Sequence, residues 1–161
     1  MELNSKALAG EFFVLAQLNL RGYDASLTLG NTKGVDIIVM NNESNKGYKV
    51  EVKTTTNKPS KSKLFMEWHN NNPCFNWIMS KKNETIIADN LIYCFVHISD
   101  IQSMPKFFLV PSKEVAEYVK SQHEYWLSTR KSLKSDSSLR KFRIEVNDPN
   151  NYENNWALFE G

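Results

Sequence analysis

The sequence predicts an α/β or α+β domain with a mixed central sheet flanked by helices, and three observations carry that expectation. A helix-forming stretch opens the chain, three strand-like segments follow in succession, and a strand, a shorter strand and a second helix come after an irregular middle. Such elements bury their apolar faces by stacking in layers around one core. At 161 residues the chain suits a single domain, spanning 1–161.

The first helix is expected over residues 5–21. Asn4-Ser5 gives it a polar start, and Gly22 stands where a left-handed C-terminal cap belongs. Phe12, Phe13, Val14, Leu15, Leu18 and Leu20 make it apolar on more than one side, which predicts a largely buried helix. Residues 23–29 then alternate, with Tyr23, Ala25, Leu27 and Leu29 on one face. Residues 30–34 read as a turn, and residues 35–40 form a β-branched run of the kind that lies deep in a sheet. A polar loop over 41–47 suits a hairpin. Residues 48–54 alternate again, with Tyr48, Val50 and Val52 facing one way and Lys49, Glu51 and Lys53 the other.

Over 55–87 the pattern weakens. Asn57, Pro59, the Asn70-Asn71-Asn72-Pro73 cluster and scattered aromatics predict a long irregular excursion. Residues 91–98 and 106–110 read as strands, and Pro111-Ser112 opens a helix running to about Thr129. The tail from Ser132 is polar, but Phe142, Ile144, Trp156, Leu158 and Phe159 predict that its end packs back on the domain.

Composition is that of an ordinary globular chain, with 41% hydrophobic and 24% charged residues. No signal-peptide pattern and no apolar run of membrane-spanning length is present, so no membrane partner is expected. Cys74 and Cys94 lack CxxC spacing and read as two reduced thiols in a cytoplasmic protein. Net charge is only +2, but six lysines (46, 49, 53, 58, 61, 63) crowd one segment against a single acid, Glu51. A solvated loop looks like this, and so does a phosphodiester-binding groove beside carboxylates.

Glu51 and Lys53 are two residues apart on a strand and so project from the same face. Asp36 sits among Val35, Ile37, Ile38 and Val39, where an acid is costly unless paired, hydrogen-bonded or metal-bound. A hairpin between these strands brings Asp36 beside the Glu51 segment. Two repelling carboxylates are relieved by a hard divalent cation such as Mg²⁺, and an ammonium beside them stabilises charge on a phosphoryl group under attack. No Ser/His/Asp set and no glycine-rich phosphate loop is apparent.

The run Gly34-Val35-Asp36-Ile37-Ile38-Val39, followed by Tyr48-Lys49-Val50-Glu51-Val52-Lys53-Thr54, resembles the signature of the PD-(D/E)xK nuclease superfamily. Val35 stands where the motif's name has Pro. The resemblance implies a restriction-endonuclease-like core of order αβββ(α)β, here with an extra strand and helix. It implies an Mg²⁺- or Mn²⁺-dependent nuclease with Asp36, Glu51 and Lys53 as catalytic residues. Asp36, Glu51, the Val52 carbonyl and Glu11 of the first helix would be metal ligands. The implied partner is nucleic acid, DNA in the first place, and a homodimer is expected because cutting two strands takes two sites.

Plainer readings exist for each residue. Glu51 and Lys53 alone would be a solvent-facing pair, and Glu11 a first-turn acid favoured by the helix dipole, although it shares a stripe with Leu8, Leu15 and Leu18. His69, His97 and His123 lack metal-site spacing and read as structural or surface residues. Trp68, Phe75 and Trp77 are expected in the core, with base stacking as the alternative. Lys33, Thr54 and Thr55 flank the motif as candidate phosphate contacts. The competing function is a catalytically inactive nuclease-like module that binds nucleic acid or a protein partner, and a third reading is an unrelated α+β domain with a chance motif.

Overall fold

The alternation of Tyr48, Val50 and Val52 sets the layering, because all three side chains are buried on one face of a five-stranded sheet beneath the first helix. In the computed structural model, which describes residues 3–28, 34–129 and 136–160, that helix is α1 (Leu3–Leu20). Gly22 takes φ +85°, the left-handed conformation that its place after the helix requires.

The sheet runs β1 (Asp24–Leu27), β2 (Ile37–Asn41), β3 (Lys46–Thr55), β5 (Leu91–His97) and β6 (Lys106–Pro111) in spatial order. Neighbours pair antiparallel except β3 and β5, which are parallel, so the sheet is mixed. Asn41 closes the β2–β3 hairpin opposite Lys46. Its side-chain oxygen accepts from the Glu43 and Ser44 N–H groups, and its amide donates to the Phe159 carbonyl at 2.8 Å. One asparagine thus builds the turn and docks the C-terminal segment.

A second layer covers the other face. It comprises α2 (Ser112–Ser128) and a two-stranded antiparallel sheet of β4 (Cys74–Ser80) and β7 (Leu139–Glu145). Trp77, Tyr93, Phe95, Phe108, Val115, Val119 and Phe142 form the core between the layers. Each fully buried side chain of this size contributes about 2–3 kcal/mol. Because β5 is covered on both sides, every one of its residues is buried, which explains its unbroken apolar run. Among the described residues no helix is long and apolar enough to cross a membrane.

Two expectations are corrected. α1 is not largely buried: Val14 and Leu18 are, but Leu8, Phe12, Phe13 and Leu20 are exposed, because only one side of the helix meets the sheet. The stretch between β3 and β5 holds no α-helix and is less irregular than its asparagines imply. It contains two 3-10 turns (Lys63–Phe65 and Lys81–Glu84) and β4, whose partner β7 lies in the tail. Leu29 and the turn residues 30–33, Lys33 included, lie outside the described residues.

Candidate active site

Asp36 sits where β2 and β3 fall out of step. The ladder sets Ile37 opposite Val50, yet the Asp36 N–H also donates to the Val50 carbonyl, at 2.8 Å. Two residues of one strand therefore face a single residue of the other, as in a β-bulge, which bends its strand and re-aims a side chain. The Asp36 carboxylate turns to β3 and accepts from the Val52 N–H at 2.7 Å. Its own carbonyl accepts from the Thr28 N–H at 2.9 Å, so the residue is held from both sides.

Glu51 stands on β3 opposite Tyr93 of β5 and is only 2% exposed. Its Oε1 holds the Lys53 ammonium at 2.6 Å. Its Oε2 is buried with no hydrogen-bond partner among the described residues. A buried carboxylate oxygen in that condition is expensive, and a cation or donor would relieve it. Gly34, at φ +77°, approaches this oxygen so closely that a Cβ there would lie 3.3 Å from it. The glycine serves the backbone turn and leaves that side of Glu51 open.

Glu11 reaches the same neighbourhood from α1. Its carboxyl is pushed above the ordinary range by burial and by the Asp36 charge, with Lys53 acting in the opposite sense. Burial also raises Asp36, and Glu51 adds to the rise; the Val52 N–H, Lys53 and Lys82 pull it down. The two raised carboxyls, Glu51 and Lys53 thus form one electrostatically coupled set. The hydroxyl of Tyr93 is raised by burial, by the Glu51 charge and by its hydrogen-bonding interaction with the Glu51 carboxylate, while the Asn83 amide, which donates to it at 2.9 Å, pulls it down.

The residues that sequence reasoning missed are Gly10, Tyr93, Asn83 and Lys82, while Gly34 was placed only as a turn residue at the head of the motif. Gly10 had a signal, since a glycine inside a helix costs stability unless something must come close. The others sit on segments whose positions depend on distant pairings.

Oxygen donors fit a hard divalent ion better than any other metal. Asp36 and Glu51 supply two carboxylates, one with a partnerless buried oxygen, and the Val52 backbone lies between them. Among the described residues no three His, Cys, Asp or Glu side chains are already gathered as a ligand set.

The remaining candidates have structural settings. Phe75 and Trp77 are buried, and Trp77 Nε1 donates to the Val96 carbonyl at 2.9 Å. Trp68 is part exposed against Phe65 and Tyr125. His97 bonds the Asn57 carbonyl, His123 meets Asp136, and His69 lies buried between Glu145 and Tyr118. Thr54 packs its hydroxyl against Gly10 and Thr55 is buried, so neither is presented to a phosphate. Burial pushes the Cys74 thiol up to about 11 and Cys94 higher, which keeps both protonated.

The chain is thus a mixed α+β fold, its five-stranded mixed sheet covered by α1 on one face and by α2 with the β4–β7 pair on the other. In three dimensions it is similar to a bacterial homing endonuclease, I-Ssp6803I, with a TM-score of 0.59 over 99% of this chain and 95% of that one. Sequence identity is 11%, so the likeness is one of fold. No family model and no curated protein matches the chain.

Proposed function

We propose that this chain is a metal-dependent nuclease of the PD-(D/E)xK type, hydrolysing phosphodiester bonds in nucleic acid, DNA in the first place. The observation that carries this reading is the coupled set of Asp36, Glu51 and Lys53 at the β2–β3 bulge, with one buried Glu51 oxygen lacking a partner. The shared fold with a homing endonuclease supports it.

Asp36, Glu51 and the Val52 carbonyl would hold Mg²⁺ or Mn²⁺, with Glu11 as an additional ligand from α1. When bound, such an ion supplies Lewis-acid polarisation of the phosphoryl oxygens and lowers the pKa of a coordinated water. Lys53, held on Glu51, orients the attacking water and stabilises the charge that grows on the phosphoryl group. The bulge holds the Asp36 carboxylate by the Val52 N–H, so little reorganisation is needed before reaction.

A second reading, a nuclease-like module that binds without cutting, is favoured by one observation: Lys53 already neutralises the Glu51 oxygen nearest to it. A substrate panel separates the two. Duplex, single-stranded and branched DNA, and RNA, are incubated with Mg²⁺ or Mn²⁺ and with EDTA. Metal-dependent cleavage of any member supports the nuclease; binding without cleavage in either metal overturns it.

A further inference from the structure

A cavity of about 320 Å³ opens between α2, β7 and the 3-10 turn Lys63–Phe65. Asp36, Glu51 and Lys53 do not line it. Its polar wall is cationic: Arg140, Lys141 and Arg143 line it beside His123, and no aspartate or glutamate does among the described residues. Its apolar wall includes Phe65 and Trp126.

The charges on this wall are not equally compensated. Arg140 is paired with Glu84 and with Asp136, and His123 also meets Asp136. Arg143 differs. Its guanidinium lies 4.5 Å over the Phe65 ring, donates to the Gln122 side-chain oxygen and interacts with the neutral Tyr118 hydroxyl, but its Nε is buried with no partner. No carboxylate among the described residues stands at ion-pair distance from it. Lys141, two residues along the same face of β7, is exposed and likewise without an ion pair among those residues. A largely buried guanidinium without an anion is unfavourable, and its fork of donors matches a phosphate.

We propose that this cavity binds a nucleotide unit, its phosphate on Arg143 and Lys141 and its base against the apolar wall. The size falls within the range of small-molecule pockets, and aromatic walls beside cations suit a planar base joined to a phosphate. A free mononucleotide and a nucleic-acid strand carry the same chemistry.

The test uses the full chain in EDTA, so that failure of the metal site and failure of this cavity are separable. Titration calorimetry and thermal melting are run with deoxyadenosine 5′-monophosphate, deoxyadenosine, inorganic phosphate and a short 5′-phosphorylated oligo-dA strand. The monophosphate or the strand is expected to bind and raise the melting temperature, and deoxyadenosine to bind on the order of tenfold more weakly or not at all. Binding of the monophosphate assigns a free nucleotide, and binding of the strand alone assigns nucleic acid. Arg143→Met should lose about tenfold or more in affinity while melting no lower than the parent without ligand, since it removes an unpaired buried charge. Should that variant fail to fold, Lys141→Ala, at an exposed position, still weakens binding several-fold. Equal binding of deoxyadenosine or of inorganic phosphate, no binding of either nucleotide probe, or unchanged affinity in the folded variants overturns the assignment.

Discussion

Gly10 of α1 lies so close to Thr54 of β3 that a Cβ at residue 10 would fall 1.9 Å from the Thr54 hydroxyl oxygen and 3.1 Å from its Cβ. No rotamer of Thr54 relieves both contacts. This single glycine lets the helix settle on the strand that carries Glu51 and Lys53, and it delivers the next residue, Glu11, to the site. Gly10→Ala is expected to destabilise the fold by about 1–3 kcal/mol through overpacking. Denaturant unfolding measures this, and adding Thr54→Ala should recover part of the loss. An alanine variant as stable as the parent would mean that the helix seats itself by other contacts.

Asp36→Asn keeps an acceptor for the Val52 N–H while removing a charge that burial and Glu51 both disfavour. The variant should melt at or above the parent temperature at neutral pH in EDTA. Added Mg²⁺ should raise the parent's melting temperature and leave the variant's unchanged. A variant that unfolds, or that responds to Mg²⁺ as the parent does, contradicts the ligand role of Asp36.

Two buried histidines should each lose a stabilising contribution on the acid side of neutrality, opposite in sign to the raised Glu11 and Asp36 carboxyls. His69 and His97 are both held below the ordinary histidine value, burial being the largest cause in each. A histidine whose folded pKa is lowered binds fewer protons in the folded state than in the unfolded one. Its contribution is therefore complete above about 6.5 and is lost as pH drops from there through the folded value. His69→Gln, compared with the parent at pH 7.5 and 5.5, should show a smaller drop in melting temperature. Parallel pH profiles would remove His69 from this dependence.

Lys58 and Lys61 are exposed in the segment that follows β3. If they contact phosphates, replacing both with Gln should weaken nucleic-acid binding similarly across sequences. Each lost contact should flatten the slope of log affinity against log salt by about 0.7–0.9. An unchanged slope assigns them to a solvated loop.

Much of this was legible in the sequence because it depends on local pattern. The alternation of Tyr48, Val50 and Val52 against Glu51 and Lys53 placed β3 and its faces, and the polar stretch between Asn41 and Lys46 gave the hairpin. β4 and β7 were not legible, since Trp77 finds Phe142 across a separation of 65 residues and no local period marks that pairing. The asparagines before β4, two of them at positive φ, masked the strand that follows. The exposure of Leu8, Phe12 and Leu20 escaped for the complementary reason: apolar composition does not reveal how many sides of a helix meet a partner. The Asp36 bulge is invisible to alternation because it breaks the register that alternation assumes.

The most direct measurement is the cleavage rate of Lys53→Ala on the best substrate at saturating Mg²⁺, with metal affinity determined alongside. Lys53 touches Glu51 and is proposed to act on the transition state, so its loss should leave metal affinity near the parent's. The rate should fall by about a hundredfold or more, whereas Asp36→Ala and Glu51→Ala should lose metal affinity as well. Cleavage by Lys53→Ala at the parent's rate, or a parent that leaves every substrate intact with either metal, would contradict the nuclease mechanism.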